Sequence, residues 1–117
     1  MVIIEDSIVR GTTSRSRIDE IREAGAKEIH MRISCPPIKS PCFYGIDFPS
    51  KGELIAHNKT VQEIADFIKV DSLGFLSLEG MLSVMKDKGS FCSACYTGKY
   101  PTAIPTNTDK LKLEKTA

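Results

Sequence analysis

The sequence has no marked excess of charge of either sign and no long apolar run. Its 16 Lys and Arg residues nearly balance 15 Asp and Glu residues, so charge gives no support for nucleic acid or an anionic membrane as a partner. No apolar run approaches the roughly 20 residues of a membrane span, and the carboxylates of Glu5 and Asp6 make the amino terminus unlike a secretory signal. We therefore expect a cytoplasmic protein with neither nucleic acid nor membrane as a partner.

Histidine, the side chain most often used for proton transfer near neutral pH, occurs only twice. His30 falls on the polar side of an alternating stretch, and His57 lies near the end of an expected helix. We expect both to be surface residues rather than catalytic ones.

The informative part of the sequence is its first fourteen residues. Val2, Ile3 and Ile4 form an unbroken β-branched run, which is typical of a strand buried on both faces of a parallel sheet. Glu5 and Asp6 follow where this strand would end, and open α/β sheets bind ligands at the carboxyl ends of their strands. The two carboxylates are therefore candidate ligand-binding groups.

A turn of small residues, Gly-Thr-Thr-Ser at 11–14, follows the carboxylates. Apolar residues at every third position after it predict a helix from near Ser14 to Ala24, capped by Thr13 or Ser14 and ended by Gly25. The unpaired N–H groups of such a helix suit a phosphate, and the carboxylates suit sugar hydroxyls. Together they predict a site for a phosphorylated ribose.

The rest of the sequence predicts a second strand over 28–33, with Ile29, Met31 and Ile33 on one face. Strand, helix and strand in this order suit a right-handed parallel crossover. Further along we predict helices after capping boxes at 50–53 and 60–63, a short strand at 73–76, a helix over 77–86, a polar loop over 86–91 and a frayed tail over 102–117.

The four cysteines form a second group of candidates. Cys92 and Cys95 have the spacing of a metal-chelating pair. The pattern alone fits a zinc site, a thioredoxin-like redox pair or two unligated thiols, and disulfides are not expected in a cytosolic enzyme. Cys35, beside two prolines, is expected to be a small apolar residue, with a ligand role as the alternative.

Residues 5–14, Glu-Asp-Ser-Ile-Val-Arg-Gly-Thr-Thr-Ser, resemble the phosphoribosyl-pyrophosphate motif of type I phosphoribosyltransferases. Later stretches at 33–38, 41–47, 53–56, 76–80 and 92–101 resemble the glutamine phosphoribosylpyrophosphate amidotransferase (amidophosphoribosyltransferase) family. One departure is visible, since Glu5 stands where the family usually carries aspartate. The resemblance runs from residue 2 to about residue 101.

The resemblance implies a set of site residues. Substrate binding falls on residues 5–7 and 10–14, namely Glu5, Asp6, Ser7, Arg10, Gly11, Thr12, Thr13 and Ser14. Glu5 and Asp6 would also lie beside a magnesium ion (Mg2+), which prefers oxygen ligands. Cys42, Cys92 and Cys95 match three of the four thiolate ligands of a [4Fe-4S] cluster, and the fourth ligand would lie upstream.

The resemblance also implies a fold and an arrangement of parts. The fold class is α/β: a partial type I phosphoribosyltransferase (parallel-sheet, Rossmann-like) fold with a helical, cysteine-containing C-terminal extension. Residues 1–40 would be the C-terminal half of the transferase core with the phosphoribosyl-pyrophosphate loop, 41–101 a helical iron–sulfur segment, and 102–117 a flexible tail. Met1 reads as an internal or artificial start, so we expect the chain to be part of a longer protein, alone showing an exposed apolar sheet face.

The implied activity is transfer of glutamine-derived ammonia to phosphoribosyl pyrophosphate, giving 5-phosphoribosylamine. Expected partners are phosphoribosyl pyrophosphate, purine nucleotide inhibitors, and the missing glutaminase and N-terminal transferase portions, in a homo-oligomer when complete. The chain alone is expected to be inactive, without glutaminase site, pyrophosphate loop or flexible catalytic loop. The alternatives are a salvage-type phosphoribosyltransferase, which leaves the cysteines unexplained, and a non-catalytic nucleotide-sensing or metal-binding module.

Overall fold

The computed structural model describes residues 1–106, so the 107–117 part of the expected tail lies outside the described residues. The strands are β1 (Val2–Glu5), β2 (His30–Ile33) and β3 (Ser72–Phe75). The helices are α1 (Thr12–Glu23), α2 (Ile55–Asn58), α3 (Val61–Ile68), α4 (Leu78–Ser83) and α5 (Ala94–Thr97), with 3-10 turns at Lys51–Glu53 and Lys88–Ser90. Within residues 1–106, no helix is both long enough and apolar enough to span a bilayer.

The three strands form one parallel sheet in the order β1-β2-β3. Ile4 pairs with Arg32, and Arg32 pairs with Gly74, so all three strands point the same way and their carboxyl ends share one edge. The predicted strand at 28–33 is confirmed in its last four residues, and the strand predicted at 73–76 lies one residue earlier. β3 therefore joins the expected 41–101 segment to the same sheet as residues 1–40.

One face of the sheet carries the hydrophobic core. Ile29, Met31 and Ile33 are at most 2% exposed, as their alternation predicted, and they belong to one cluster with Ile18 of α1 and Ile64 of α3. The buried residues of α1 and α3 thus cover this face, because alternate residues of a strand point to the same side.

The opposite face of the sheet is open. Val2 and Ile4 are each 67% exposed, so the prediction that β1 is buried on both faces is wrong for the described residues. The reason is that both α1 and α3 pack on the other side of the sheet. The companion prediction, an exposed apolar sheet face in the chain alone, is confirmed.

The end of α1 follows the sequence prediction. Gly25 has φ of +101°, and its N–H donates to Arg22 O at 2.9 Å. The N–H of Ala26 donates to Ile21 O at 3.3 Å. These two bonds are the Schellman arrangement, for which glycine is favoured because the residue must be left-handed.

Both predicted capping boxes are present. The N–H of Thr60 donates to Glu63 Oε2 at 2.7 Å while Thr60 Oγ1 accepts from the Glu63 N–H at 3.2 Å, and α3 begins there. The N–H of Ser50 donates to Glu53 Oε2 at 3.1 Å, and a 3-10 turn begins there. The helix predicted over 77–86 is shorter, Leu78–Ser83, and α5 was not predicted.

Asp71 joins the end of α1 to the start of β2 and gives a pH prediction. Its Oδ2 accepts from the Ile29 N–H at 2.7 Å and from Arg22 Nη2 at 2.6 Å. The Ile29 hydrogen bond, followed by that from Arg22, holds the pKa of Asp71 below its ordinary value of 3.8. Because the folded pKa is the lower one, this stabilisation is complete above the unfolded pKa and is lost as pH falls through the folded pKa.

We therefore expect urea unfolding midpoints to fall between about pH 5 and about pH 2, and to fall less steeply in an Asp71→Asn chain. The slope should not vanish in that variant, because hydrogen bonds also lower the pKa values of Glu53, Glu63 and Asp87. Identical slopes for the unaltered and D71N chains would show that Asp71 is not linked to folding.

Candidate functional site

A cavity of about 240 Å³ lies between the carboxyl end of β1 and the amino end of α1. Seven of the eight predicted substrate-binding residues line it, together with three that were not predicted. The predicted lining residues are Glu5, Ser7, Arg10, Gly11, Thr12, Thr13 and Ser14, and the others are Ile8, Val9 and Arg17. The edge of the sheet and the start of the helix thus meet where the sequence placed the site.

The N-cap of α1 is Gly11, whose φ of +80° lies in the left-handed region. In the described part of the chain no side chain caps this helix end, so the predicted cap by Thr13 or Ser14 is wrong. The first helical hydrogen bond is from the Arg15 N–H to Gly11 O at 2.9 Å. The N–H groups before it face the cavity end of the helix, where the helix dipole favours an anion.

The turn is packed against residues far along the chain. A Cβ on Gly11 would lie 2.8 Å from Ile55 Cδ1 and 3.3 Å from Phe67 Cε1, so the backbone passes close to both side chains. The Ile55 N–H donates to Val9 O at 2.9 Å. α2 and α3 therefore pack against the turn and support it.

Arg10 is held at the cavity by an ion pair. Its Nε and Nη2 both donate to Glu53 Oε1 at 3.2 Å, and both side chains are about half exposed. The hydrogen bonds of Ser50 to Glu53, followed by that of Arg10, lower the pKa of Glu53. Arg10 is thus placed to reach an anion in the cavity, in competition with Glu53.

The two predicted carboxylates are separated. Glu5 lines the cavity and accepts a hydrogen bond from Arg17 Nη1. Asp6 does not line it, and its Oδ1 accepts from Ser7 Oγ at 2.8 Å. Successive residues that leave a strand point to opposite sides, which accounts for the divergence of the two side chains.

Arg17 was not among the site residues predicted from the sequence. It lines the cavity and pairs with Glu5, although its side chain is 50% exposed. Helical spacing was the available signal, since Arg17 lies four residues after Thr13 and therefore on the same side of α1. Arg15, in contrast, lies over the ring of Phe67 at 5.1 Å and does not line the cavity.

The cysteines are all free thiols with different environments. Cys35 is buried in the core, as expected for a small apolar residue, and donates to Pro36 O at 3.2 Å. Cys42 and Cys95 are half-buried and Cys92 is exposed. Burial raises the pKa of Cys95, and the nearby Cys42 and Cys92 sulfurs raise it further, which places the three thiols in one region.

Hydrogen bonds tie the two cysteine-bearing segments together. The N–H groups of Lys39 and Ser40 both donate to Cys95 O at 3.0 Å. Tyr100 Oη donates to Pro41 O at 2.7 Å, and its ring meets that of Phe43 edge-on at 5.1 Å. The loop that carries Cys42 is therefore fixed against the segment that follows α5.

The predicted metal ligands do not converge into a metal site by themselves. Among residues 1–106, no group of three or more His, Cys, Asp or Glu side chains is arranged to hold a metal ion. This includes the three thiols, whereas Glu5 and Asp6 are two carboxylates and too few to form such a group. These positions therefore do not fit a cluster or a magnesium ion without movement or additional ligands.

Three known proteins that are similar to this chain in sequence are all amidophosphoribosyltransferases. The chain is 56% identical over 108 residues to an amidophosphoribosyltransferase of Methanothermobacter thermautotrophicus, a match that covers 92% of this chain and 23% of the relative. It is 55% identical over 114 residues to one of Synechocystis sp., covering 97% of this chain and 23% of the relative. A chloroplastic amidophosphoribosyltransferase of Vigna aconitifolia is 54% identical over 102 residues. No family model matches the chain.

A solved structure extends the likeness to the fold. Glutamine phosphoribosylpyrophosphate amidotransferase from B. subtilis, complexed with ADP and GMP, superposes with a TM-score of 0.83 at 51% identity. The match covers 92% of this chain and 25% of that chain. The expected α/β class, a parallel sheet forming part of a type I phosphoribosyltransferase fold, is thereby confirmed, and the chain spans about a quarter of the length of the proteins it matches.

Proposed function

We propose that this chain, which belongs to the amidophosphoribosyltransferase family, supplies the phosphoribosyl-binding turn of an enzyme of purine biosynthesis. The complete reaction transfers glutamine-derived ammonia to phosphoribosyl pyrophosphate and releases pyrophosphate, giving 5-phosphoribosylamine. The observation that carries the proposal is the cavity at the β1–α1 turn, lined by seven of the eight predicted substrate-binding residues. The rest of the reaction is assigned to parts of the relatives that this chain does not match.

The turn binds the phosphate end of the substrate. Backbone N–H groups at the start of α1 donate to phosphate oxygens, and the hydroxyls of Thr12, Thr13 and Ser14 add further donors. Arg10 contributes charge once a phosphate oxygen replaces Glu53 as its partner. The absence of a side-chain cap on α1 within residues 1–106 leaves these donors to the ligand.

Glu5 acts on the sugar. It is the carboxylate of the cavity, so it accepts hydrogen bonds from ribose hydroxyls, and its negative charge stabilises positive charge that develops at the anomeric carbon. Asp6 shares this role in the proposal, which requires its side chain to turn away from Ser7.

Metal binding is a separate part of the proposal. Cys42, Cys92 and Cys95 are three ligands of a [4Fe-4S] cluster, supported by the proximity of Cys95 to the other two sulfurs and by the hydrogen bonds that join their segments. To complete the cluster site, the three sulfurs must move closer together, and a fourth ligand must come from elsewhere. Magnesium beside Glu5 and Asp6 likewise needs oxygen ligands from the substrate or another segment, and it would screen the pyrophosphate charge.

Partners follow from the same pocket. A purine nucleotide carries the same phosphorylated ribose, so we propose purine nucleotides as inhibitors, and the B. subtilis relative was solved with ADP and GMP. A homo-oligomer, the glutaminase and N-terminal transferase portions, and a cytoplasmic location are also proposed. The division into a core (1–40), a cysteine-containing segment (41–101) and a tail (102–117) remains a prediction.

Titration of the full 117-residue chain with ribose 5-phosphate tests the site. We expect the amide NMR signals of residues 11–14 to shift, with ribose as the control that lacks the phosphate and produces no shift there. Incubation with phosphoribosyl pyrophosphate and ammonia should give binding without turnover. Unchanged amide signals at millimolar ribose 5-phosphate would contradict the proposed site, and turnover would contradict the assignment of catalysis to segments beyond this chain.

A further inference from the structure

The cavity contains an ion pair that the sequence motif does not include. Arg17 Nη1 donates to Glu5 Oε1, which connects the second turn of α1 to the last residue of β1. Both residues line the cavity, and the Glu5 side chain is 26% exposed while that of Arg17 is 50% exposed. The contact therefore lies at the cavity wall, with the carboxylate as the more enclosed partner.

Glu5 needs such a partner for two physical reasons. A glutamate side chain has three rotatable bonds, so an unpaired carboxylate samples many positions and loses that freedom when it binds a ligand. It is also the acidic side chain of the cavity lining, where an unneutralised negative charge repels a phosphate. A guanidinium bound to one carboxylate oxygen reduces both costs.

The pair also determines which carboxylate oxygen is available. Arg17 donates to Oε1, so Oε2 is the oxygen that keeps its full accepting capacity. Arg10, the other arginine of the lining, pairs with Glu53 instead. The two arginines thus have separate roles: Arg10 lies beside the phosphate donors, and Arg17 binds the Glu5 carboxylate.

We propose that Arg17 is a positioning residue, which holds Glu5 so that its second oxygen accepts a hydrogen bond from the vicinal diol of a ribose 5-phosphate. This inference rests on the proposed function, since it assigns a diol-bearing ligand to the same cavity. Arg17 itself acts through Glu5 and makes the site selective for ribose over sugars that lack a hydroxyl.

The test is the ratio of affinities for ribose 5-phosphate and 2-deoxyribose 5-phosphate, measured by NMR titration of the full chain. A charge change at Arg17 alters the attraction of both phosphates equally, so it cancels in this ratio, whereas mispositioning of Glu5 does not. We expect the unaltered chain to prefer ribose 5-phosphate by at least ~10-fold, as for a hydrogen bond to a charged group. Glu5→Gln and Arg17→Gln should both bring the ratio close to one, and Arg17→Lys should restore part of it.

Arg15→Gln is the matched control, because it removes the same charge from the same helix without touching Glu5 or the cavity. Its affinity ratio should equal that of the unaltered chain. A ratio that falls in E5Q but not in R17Q overturns the positioning role and leaves the proposed function in place, even if R17Q unfolds more easily. No preference for either sugar in the unaltered chain overturns the proposed role of Glu5 and this inference with it.

Discussion

Replacing Gly11 with alanine is expected to eliminate detectable ribose 5-phosphate binding and to destabilise the fold. Gly11 has φ of +80°, and a left-handed conformation costs an L-residue roughly 1–2 kcal/mol. The added Cβ would also lie 2.8 Å from Ile55 Cδ1 and 3.3 Å from the Phe67 ring. Ile55 Cδ1 is the flexible end of a side chain and can shift, so most of the cost comes from the backbone angle. Relaxation of that angle turns the first N–H groups of α1 away from the phosphate.

The Gly52→Ala chain is the control for Gly11→Ala. A Cβ on Gly52 meets no atom within 4 Å, and its φ lies outside the left-handed range. Urea unfolding should show a lower midpoint for G11A and an almost unchanged one for G52A, and amide signals of residues 12–14 should respond to ribose 5-phosphate only in G52A. Normal ligand binding by a folded G11A chain would show that the left-handed N-cap is not required.

Truncating Ile18 to alanine should have the largest effect on stability, a loss of about 2–5 kcal/mol. Ile18 is fully buried on the inner side of α1, in the cluster that covers the closed sheet face. Alanine there leaves a cavity, and α1 also carries Thr13 and Arg17 at the binding site. Since domains of this size have total stabilities of about 5–15 kcal/mol, the variant should be partly unfolded at moderate temperature.

Ile46→Ala provides the same chemical change at a side chain that is 59% exposed. Thermal unfolding followed by circular dichroism should show a midpoint close to that of the unaltered chain for I46A, and a drop of about 4–8 °C per kcal/mol lost for I18A. Equal midpoints for the two variants would mean that α1 does not contribute to a cooperative core.

The features that depend on local chemistry were predictable from sequence. Gly25 ends α1 because a left-handed residue is needed there, and Glu63 caps α3 through a contact three residues away. Alternation alone placed Ile29, Met31 and Ile33 on the buried face of β2. The turn predicted at 11–14 is confirmed only at Gly11, because α1 begins at Thr12 rather than near Ser14.

The features that depend on distant contacts were not predictable. The Glu5–Arg17 pair requires α1 to fold back against the end of β1, and the Asp71–Ile29 hydrogen bond joins residues 42 positions apart. The exposure of Val2 and Ile4 follows from the packing of α1 and α3 on the other face of the sheet, whereas an apolar run carries no information on which faces are covered. Gly11 as N-cap was missed because hydroxyl residues beside it are the statistically preferred caps.

The support of the β1–α1 turn by Glu53, Ile55 and Phe67 means that a ten-residue signature is not an autonomous module. A synthetic peptide of the opening strand, turn and helix would carry every residue of the motif and still lack the scaffold that shapes it. Grafting the signature into an unrelated host would therefore transfer its residues but not their geometry, unless the supporting surface from α2 and α3 were transferred as well.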